Sequence, residues 1–453
     1  VQLVRNAITN CTGTTIIGNM NCGSAVKSSI FVIHSMVLMG SRISGNEDLI
    51  RLEVNIKDEK KDDDDNELQS RFNNNTQVNK MSKVKKIVAQ VSSSVFQNNS
   101  GYGNILSFYI YREDQAAQQV LPKRYFQILN SVFQNNTISS YAQNRYSGVY
   151  IINANNFDFV QINQFKLYGN VIQNQAYGIK LCKTKEIVLS KSIIARNIFR
   201  GIMYSIDNCF LTSKSSKFEV HPPCVHVSII SIKYTSRFHI SQSSITQNKG
   251  GYVVNMCKVQ HVRTHKSMFS KNEGCMYFYL VNSITNSEAS FRYNKVRNRK
   301  RSFGSVGLDS PEMGAAIKAK VLHFMLNINS LFYKNEGKWG RGGALSISIL
   351  EGLRQKRNYL LKNINCTFEE NHAAEGSALY TLNINIMNIN CSFLRNRHKH
   401  YGDKSEIYFK VRGIIQITVI NIQTIFKSNT QIYDHVLLLV ESQSYASMVK
   451  HIR

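Results

Sequence analysis

The chain has 453 residues, of which 43% are hydrophobic, and its 56 Lys and Arg against 29 Asp and Glu give a formal net charge of +27. No run of 18 apolar residues occurs, so the sequence predicts no transmembrane helix. The charge excess attracts polyanions through a salt-dependent field, which leaves acidic polysaccharide, an anionic lipid surface, an acidic protein subunit and nucleic acid as candidate partners.

The first 89 residues divide into two predicted segments. Residues 1–45 contain strand and turn signals, such as Ile16-Ile17 before Gly18-Asn19, and we predict strands there that belong to a stacked array. Residues 46–89 include a run of mixed charge from Lys57 to Asp65, and we predict a charged, flexible insertion. Because the chain begins with Val and its last residues still have a strand-like pattern, we expect it to be a piece of a longer protein.

From residue 90 to residue 453 a short motif recurs, in which a large apolar residue is followed three positions later by Asn. The spacing between successive motifs runs from 22 to 61 residues. The widest gap, between Asn136 and Asn197, is where a degenerate unit ending at Asn170 would fall. Self-similarity of this kind predicts stacked repeats. The motif Asn residues are Asn99, Asn136, Asn197, Asn248, Asn272, Asn294, Asn335, Asn371, Asn396 and Asn429.

Apolar and polar residues alternate between the motifs, as in strands with one buried face. We therefore predict an all-β parallel β-helix whose coils of about 22–25 residues each contain three short strands. The Phe, Ile and Leu of the motif should stack inside, and the Asn residues should form a hydrogen-bonded ladder at a bend. Loop excursions are expected near residues 209–224 and 295–320.

Two repeats resemble a known family. Residues 368–380 (Phe-Glu-Glu-Asn-His-Ala-Ala-Glu-Gly-Ser-Ala-Leu-Tyr) and Gly342-Gly343-Ala344-Leu345 after Asn335 look like the Phe-x-x-Asn…Gly-Gly-Ala-Ile repeats of polymorphic outer-membrane proteins. Similar repeats occur in large surface proteins of protists, placed with the pectin-lyase-like right-handed β-helices. The resemblance covers roughly residues 90–430, and only these two units match in both halves. It implies a right-handed β-helix and a surface-displayed rod.

An enzyme of this fold would need paired carboxylates on one face. Outside the insertion, Asp residues are few and scattered among different repeats, and Asn156-Phe157-Asp158 lacks the downstream companions of polygalacturonase-like enzymes. The four-Asp run lacks the spacing of a calcium loop, and no Cys-x-x-Cys zinc motif occurs. We therefore expect no enzyme activity, no metal and no cofactor.

Three further sets of candidate residues remain. The basic clusters are candidate polyanion contacts: Arg297, Arg299, Lys300, Arg301, Arg395, Arg397 and Lys399. Of the six sequons in the chain, those at Asn135, Asn365 and Asn390 are candidate glycosylation sites. Cys209 and Cys224 flank an excursion that a disulfide would close, whereas Cys366 and Cys391 should stack either as a disulfide or as buried free thiols.

The leading hypothesis is a non-enzymatic structural or adhesive rod, extracellular or on the cell surface, that contacts other protein subunits or stacks end to end on its own copies into filaments. One alternative is a carbohydrate-active or acidic-polysaccharide-binding β-helix, and another is an organellar accessory subunit. Specific nucleic-acid recognition is not expected, because the interior claims most aromatic residues.

Overall fold

The structure, a computed structural model, describes residues 8–12, 15–17, 27–30, 35–39, 42–44, 51–57, 86–101, 105–111, 123–139, 150–173, 177–200, 228–249, 252–273, 276–296, 316–349, 359–398, 407–412, 418–427, 436–441 and 450–452. Every regular element in these ranges is a β-strand, and the strands pair in parallel. The prediction of an all-β protein with stacked parallel strands is confirmed.

The strands form three stacked sets, which we call sheets A, B and C. Sheet A has 23 strands: Ile8–Thr12, Lys27–Ile30, Ser35–Met39, Arg51–Lys57, Lys86–Ser92, Leu106–Tyr111, Lys123–Leu129, Tyr150–Asn155, Phe159–Asn163, Tyr177–Cys182, Glu186–Ser190, Ser228–Ser241, Tyr252–His265, Met276–Ser287, Ile317–Ile328, Leu345–Ser348, Leu360–Ile364, Leu379–Leu382, Asn385–Ile389, Ile407–Arg412, Thr418–Ile422, Val436–Glu441 and Lys450–Ile452. Sheet B has 13 strands: Thr15–Ile17, Arg42–Ser44, Val95–Gln97, Val132–Gln134, Lys166–Tyr168, Ile193–Ala195, Ser244–Thr246, Met268–Ser270, Ser290–Arg292, Leu331–Tyr333, Thr367–Glu369, Ser392–Leu394 and Ile425–Lys427. Sheet C has two groups of four: Ser100–Gly101, Thr137–Ser139, Val171–Gln173 and Ile198–Arg200, then Lys295–Val296, Glu336–Arg341, His372–Glu375 and Arg397–His398.

The chain visits the three sheets in a fixed order and then returns to sheet A beside its previous strand. Ser228–Ser241 lies in sheet A and Ser244–Thr246 in sheet B. Lys249 then bridges to Ile198 of sheet C, and Tyr252–His265 pairs with Ser228–Ser241. We call one such passage a rung, and the order of the rungs is consistent with a parallel β-solenoid.

Single residues with positive φ turn the chain at the corners of a rung. In one rung these are Tyr234, Gln242 and Gln247, with φ of 54°, 47° and 57°. Gly169, which has no Cβ to strain this conformation, takes the third corner of another rung at φ 66°. The first corner divides the sheet A part of a rung into a first arm and a second arm. That part is therefore longer than the single short strand predicted, reaching 14 residues in Ser228–Ser241.

The interior of sheet B is a column of large apolar side chains. Phe269, Phe291, Phe332, Phe368 and Phe393 stack in sequence with ring centroids 4.9, 4.9, 4.8 and 4.7 Å apart and interplanar angles of 7° or less. Each ring is at most 2% exposed. Parallel rings at this spacing follow from the separation between rungs, which is that between neighbouring strands.

A second interior column, of hydroxyl side chains, fills the corner between sheets A and B. Ser243 is typical, because its Oγ donates to the carbonyl of Ser241 at 2.8 Å and accepts the N–H of Ser192 from the neighbouring rung at 3.2 Å. Cys366 and Cys391 occupy the same position in two successive rungs, and their thiols donate to the carbonyls two residues earlier at 3.3 Å. Both are buried free thiols rather than a disulfide.

Several predicted segments overlap ranges that the structure does not describe. Arg51–Lys57 falls within the predicted insertion 46–89 and Lys86–Ser92 overlaps its last four residues, and both are strands of sheet A. Residues 58–85 lie outside the described ranges. The predicted excursion 209–224 lies wholly outside them, and that at 295–320 lies partly outside.

Candidate functional site

Ten Asn side chains form a continuous amide ladder at the corner between sheets B and C. Asn335 shows the pattern: its Nδ2 donates to Oδ1 of Asn371 at 3.0 Å and to the carbonyl of Phe291 at 2.9 Å, while its Oδ1 accepts from the backbone and side chain of Asn294. The same amide contact joins, in order, Asn99, Asn136, Asn170, Asn197, Asn248, Asn272, Asn294, Asn335, Asn371 and Asn396. Asn170 thus holds the place of the degenerate unit, and Asn429 lies outside the described residues.

A second amide ladder, which the sequence did not lead us to expect, lies inside the second arm. The Nδ2 of each member donates to Oδ1 of the next at 2.7–2.8 Å. Its members are Asn286, Asn327, Asn363, Asn388 and Asn421. In earlier rungs the same column is occupied by Ile240 and Thr264. The interior therefore changes from mainly apolar to amide along the stack.

The outward face of the second arm carries a cluster of basic side chains on two adjacent rungs, which we call the basic rungs: Arg237, His239, His261, Arg263 and His265. Arg237 pairs in register with His261, and His239 with Arg263. Arg237, His261 and Arg263 are exposed, while His239 and His265 are half-buried. The five side chains thus form one patch although they come from two separate stretches of sequence.

Hydroxyl and carboxylate groups contact several of these basic side chains and orient them. Nδ1 of His261 lies 2.8 Å from Oγ of Ser283, and Arg237 forms an ion pair with Glu186 at 3.2 Å. Burial lowers the pKa of His239; Glu186 opposes this effect, and the nearby Arg263 and Arg237 reinforce it. His239 is therefore more often neutral near pH 7 than a free histidine.

An open groove of about 560 Å³ borders the basic rungs at the corner between sheets A and B. Its walls include Lys191, Gln242, Lys266 and Met268, and Lys266 forms an ion pair with Glu288 at 3.7 Å. The groove thus adds cationic and hydroxyl groups to the same side of the stack.

Three outward columns of the second arm, which begin in the basic rungs at Arg237, His239 and Ser241, become mainly apolar two rungs beyond the basic rungs. We call the four rungs that begin there the apolar rungs. Between the basic rungs and the apolar rungs lies Met276–Ser287, which presents Ser283, Thr285 and Ser287. The apolar side chains of the next four rungs are half-buried, except for Ile422, which is 46% exposed: Phe324, Leu326, Ile328, Leu360, Ile364, Met387, Ile389, Ile420 and Ile422. In the described part of the apolar rungs, Lys362 is the one cation in these columns, and Asn385, next to Leu360, is a polar member of the first column.

The predicted polyanion contacts are not brought together in the part of the chain that the structure describes. Arg395 contacts Glu369 and lies 3.3 Å from Glu370, so its charge is already balanced by carboxylates. Arg397 is exposed in sheet C. The remaining predicted contacts, Arg297, Arg299, Lys300, Arg301 and Lys399, lie outside the described residues.

The candidate glycosylation sites and cysteines have different environments. Asn135, Asn365 and Asn390 are exposed at corners with φ of 53°, 51° and 50°. Cys257 is disulfide-bonded. The predicted pair Cys209 and Cys224 lies outside the described ranges.

Asp158, the carboxylate of the enzyme-like triplet, is held in an ion triad. It lies 3.2 Å from Nε of Arg124 and 2.9 Å from Nζ of Lys185. Burial raises the pKa of Asp158, but hydrogen bonds from Arg124 and Lys185 outweigh it, so the pKa lies below its usual value. This carboxylate is ionised and already engaged by two cations, an arrangement that stabilises neighbouring rungs.

Within the described ranges there is no group of three or more His, Cys, Asp or Glu that could hold a metal ion. The described residues also contain no helix long and apolar enough to cross a bilayer. Comparison of the chain with family models, with curated proteins and with solved structures finds no match.

Proposed function

We propose that the chain is a non-enzymatic structural or adhesive rod, extracellular or displayed on a cell surface, built as a right-handed parallel β-helix of the pectin-lyase-like kind. The observation that carries this proposal is the unbroken amide ladder from Asn99 to Asn396, because it joins every rung between them to the next. A stack in which each unit is bonded to both neighbours suits a long, stiff element. The right-handed form rests on the resemblance of the repeats.

A non-enzymatic role agrees with the state of the carboxylates. Asp158 is balanced by Arg124 and Lys185, and Glu369 and Glu370 are balanced by Arg395. A glycosidase needs one carboxyl group with a raised pKa beside an ionised one. The pKa values of Asp158 and Glu370 both shift downward, which favours binding or structure over acid catalysis.

An extracellular location is supported by two features of the described residues. Disulfides such as that of Cys257 persist mainly in oxidising compartments. The three sequon asparagines project at exposed corners, where an attached glycan would not disturb the interior columns. Free thiols at Cys182, Cys366 and Cys391 do not oppose this location, because all three are buried.

Electron microscopy of the purified full chain tests the rod. The 13 strands of sheet B, stacked at about 4.8 Å, give a length of about 60 Å, so elongated particles of at least that length are expected, alone or joined end to end. Compact, round particles would contradict the proposal. Release of reducing or unsaturated sugar ends from a panel of acidic polysaccharides would replace it with the enzyme alternative.

Glycopeptide mass spectrometry of protein from its native source tests the location. Glycans at Asn135 or Asn365 are expected, together with a disulfide at Cys257 in non-reduced digests. Unmodified sequons and a reduced Cys257 would contradict an extracellular location and favour the organellar alternative.

A further inference from the structure

We propose that the continuous outward face formed by the basic rungs and the apolar rungs binds an anionic lipid surface. The face runs through seven consecutive strands of sheet A, from Ser228–Ser241 to Thr418–Ile422. At about 4.8 Å per strand it is about 30 Å long. This inference concerns one face of the stack, and it holds whether or not the chain forms filaments.

The change of chemistry along this face occurs within fixed columns. One column reads His239, Arg263, Thr285, Leu326, then Lys362, Met387 and Ile420. The next reads Ser241, His265, Ser287, Ile328, Ile364, Ile389 and Ile422. One face therefore presents basic side chains at one end and mainly apolar side chains at the other.

An anionic membrane surface offers partners for both ends. Phosphate and carboxylate headgroups complement Arg263, whereas Arg237 would have to exchange its ion pair with Glu186 for a headgroup. Each cation near such a surface contributes about 1 kcal/mol. The apolar rungs can enter the boundary between headgroups and acyl chains, where affinity grows with the apolar area covered. Lys362 can extend its amine toward the headgroups while its methylene groups stay among the apolar side chains. The net charge of +27 acts in the same direction.

Other occupants fit this face less well. The apolar rungs span about 20 by 17 Å, or roughly 300 Å², which is well below the 800 Å² that each partner of a stable dimer usually buries. Two copies, each with a net charge of +27, would also repel. A hydrated acidic polysaccharide would use the basic rungs and leave the aliphatic side chains without a role. A single nucleic-acid strand would need stacking rings, and Phe324 is the one Phe, Tyr or Trp that these columns contain in the described part of the seven rungs.

Vesicle co-sedimentation of the full chain tests the proposal. Binding is expected to vesicles of phosphatidylcholine with phosphatidylserine, and much weaker binding to phosphatidylcholine alone. The triple variant Leu326→Ser, Ile364→Ser, Met387→Ser removes three outward side chains and should weaken binding about tenfold or more. The matched control Val95→Ser, Val132→Ser, Val171→Ser removes three outward side chains of sheets B and C that lie outside the seven rungs, and it should bind within about twofold of the wild type.

A charge-reversal variant keeps the test independent of any loss of apolar packing. The double variant Arg263→Glu, Lys362→Glu should reduce binding to the phosphatidylserine vesicles about tenfold and abolish the preference for them. Circular dichroism and thermal unfolding must match the wild type for each variant that is interpreted.

Three outcomes would overturn the proposal. The first is a wild-type chain that binds neither vesicle. The second is a folded triple variant that binds as the wild type does, with binding that soluble polygalacturonate abolishes, which would assign the basic rungs to acidic polysaccharide. The third is a wild-type dimer that the triple variant converts to a monomer without any change in vesicle binding, which would assign the apolar rungs to a second copy.

Discussion

Replacing Asn335 with Ala removes one link from the amide ladder without touching the outward faces. The Asn335 side chain makes four hydrogen bonds, to the backbone N–H and the side-chain amide of Asn294, to the carbonyl of Phe291, and to Oδ1 of Asn371. Two of these partners keep another contact after the substitution. The side-chain amide of Asn294 still donates to the carbonyl of Phe269, and Oδ1 of Asn371 still accepts the backbone N–H of residue 335.

The expected cost follows from these contacts. A net hydrogen bond contributes about 1 kcal/mol, and a buried group left without a partner costs about 1–3 kcal/mol. Because Asn335 is 0% exposed, water cannot replace the lost contacts of the Asn294 N–H and the Phe291 carbonyl. Leaving these two buried groups without a partner, at about 2 kcal/mol each, lowers the free energy of unfolding by about 4 kcal/mol. Asn282→Ala, at an exposed position of the same array, should change that free energy by less than about 0.5 kcal/mol.

Two measurements check this prediction. Chemical denaturation followed by circular dichroism gives the change in stability, with the slope compared between variants because an array of repeats can unfold in more than one step. Native-state hydrogen exchange should also show faster exchange at the backbone N–H of Asn294, which donates to the Oδ1 that the substitution removes. A loss below about 1 kcal/mol with unchanged exchange at Asn294 would mean that the ladder does not hold the rungs together.

Three further predictions concern single side chains. Cys366→Ser should change the free energy of unfolding by less than about 1 kcal/mol, because Ser330 makes the equivalent hydrogen bond one rung away. The contact with Cys391 and burial raise the pKa of the Cys366 thiol, so Cys366 should resist alkylation until the chain is denatured. Asp158→Asn should cost about 2 kcal/mol in urea denaturation, because Arg124 loses its carboxylate partner. Burial lowers the pKa of His239 in the folded chain, so the unfolded chain binds more protons just below pH 6.5. The free energy of unfolding therefore decreases as the pH drops from about 7 to about 5, and His239→Gln should make this decrease smaller.

The sequence predicted the parts of the fold that repeat with a recognisable spacing. Phe332, Phe368 and Phe393 each stand three residues before a ladder Asn, so their stacking could be anticipated from the motif alone. The unit that ends at Asn170 could be predicted only from the wide gap between Asn136 and Asn197, because Leu167 and Gly169 depart from the motif.

The candidate membrane face could not be predicted in the same way. His239 and Arg263 are 24 residues apart in sequence and become neighbours only through the register of two strands. Neither lies in a charge run. Of the runs that drew attention, most residues lie outside the described ranges, Arg395 is balanced by carboxylates, and Arg397 is exposed in sheet C. Adjacency between rungs depends on the length of each excursion, and the hydrophobic pattern carries no information about that length.

The second amide ladder and the apolar rungs both follow from the fixed position, along the chain, of the corner that ends the second arm. Ser330 and Phe332 must both point inward to join their columns, and Asn329 turns the corner with φ of 47°. Alternation along the strand then forces Ile328 outward and Asn327 inward, whatever their polarity. A slip of one residue would bury Ile328, but it would expose the ring of Phe332 and break the stack. The amide chain through Asn327 satisfies the buried polar groups at each rung, and the same register is what leaves the aliphatic side chains on the surface.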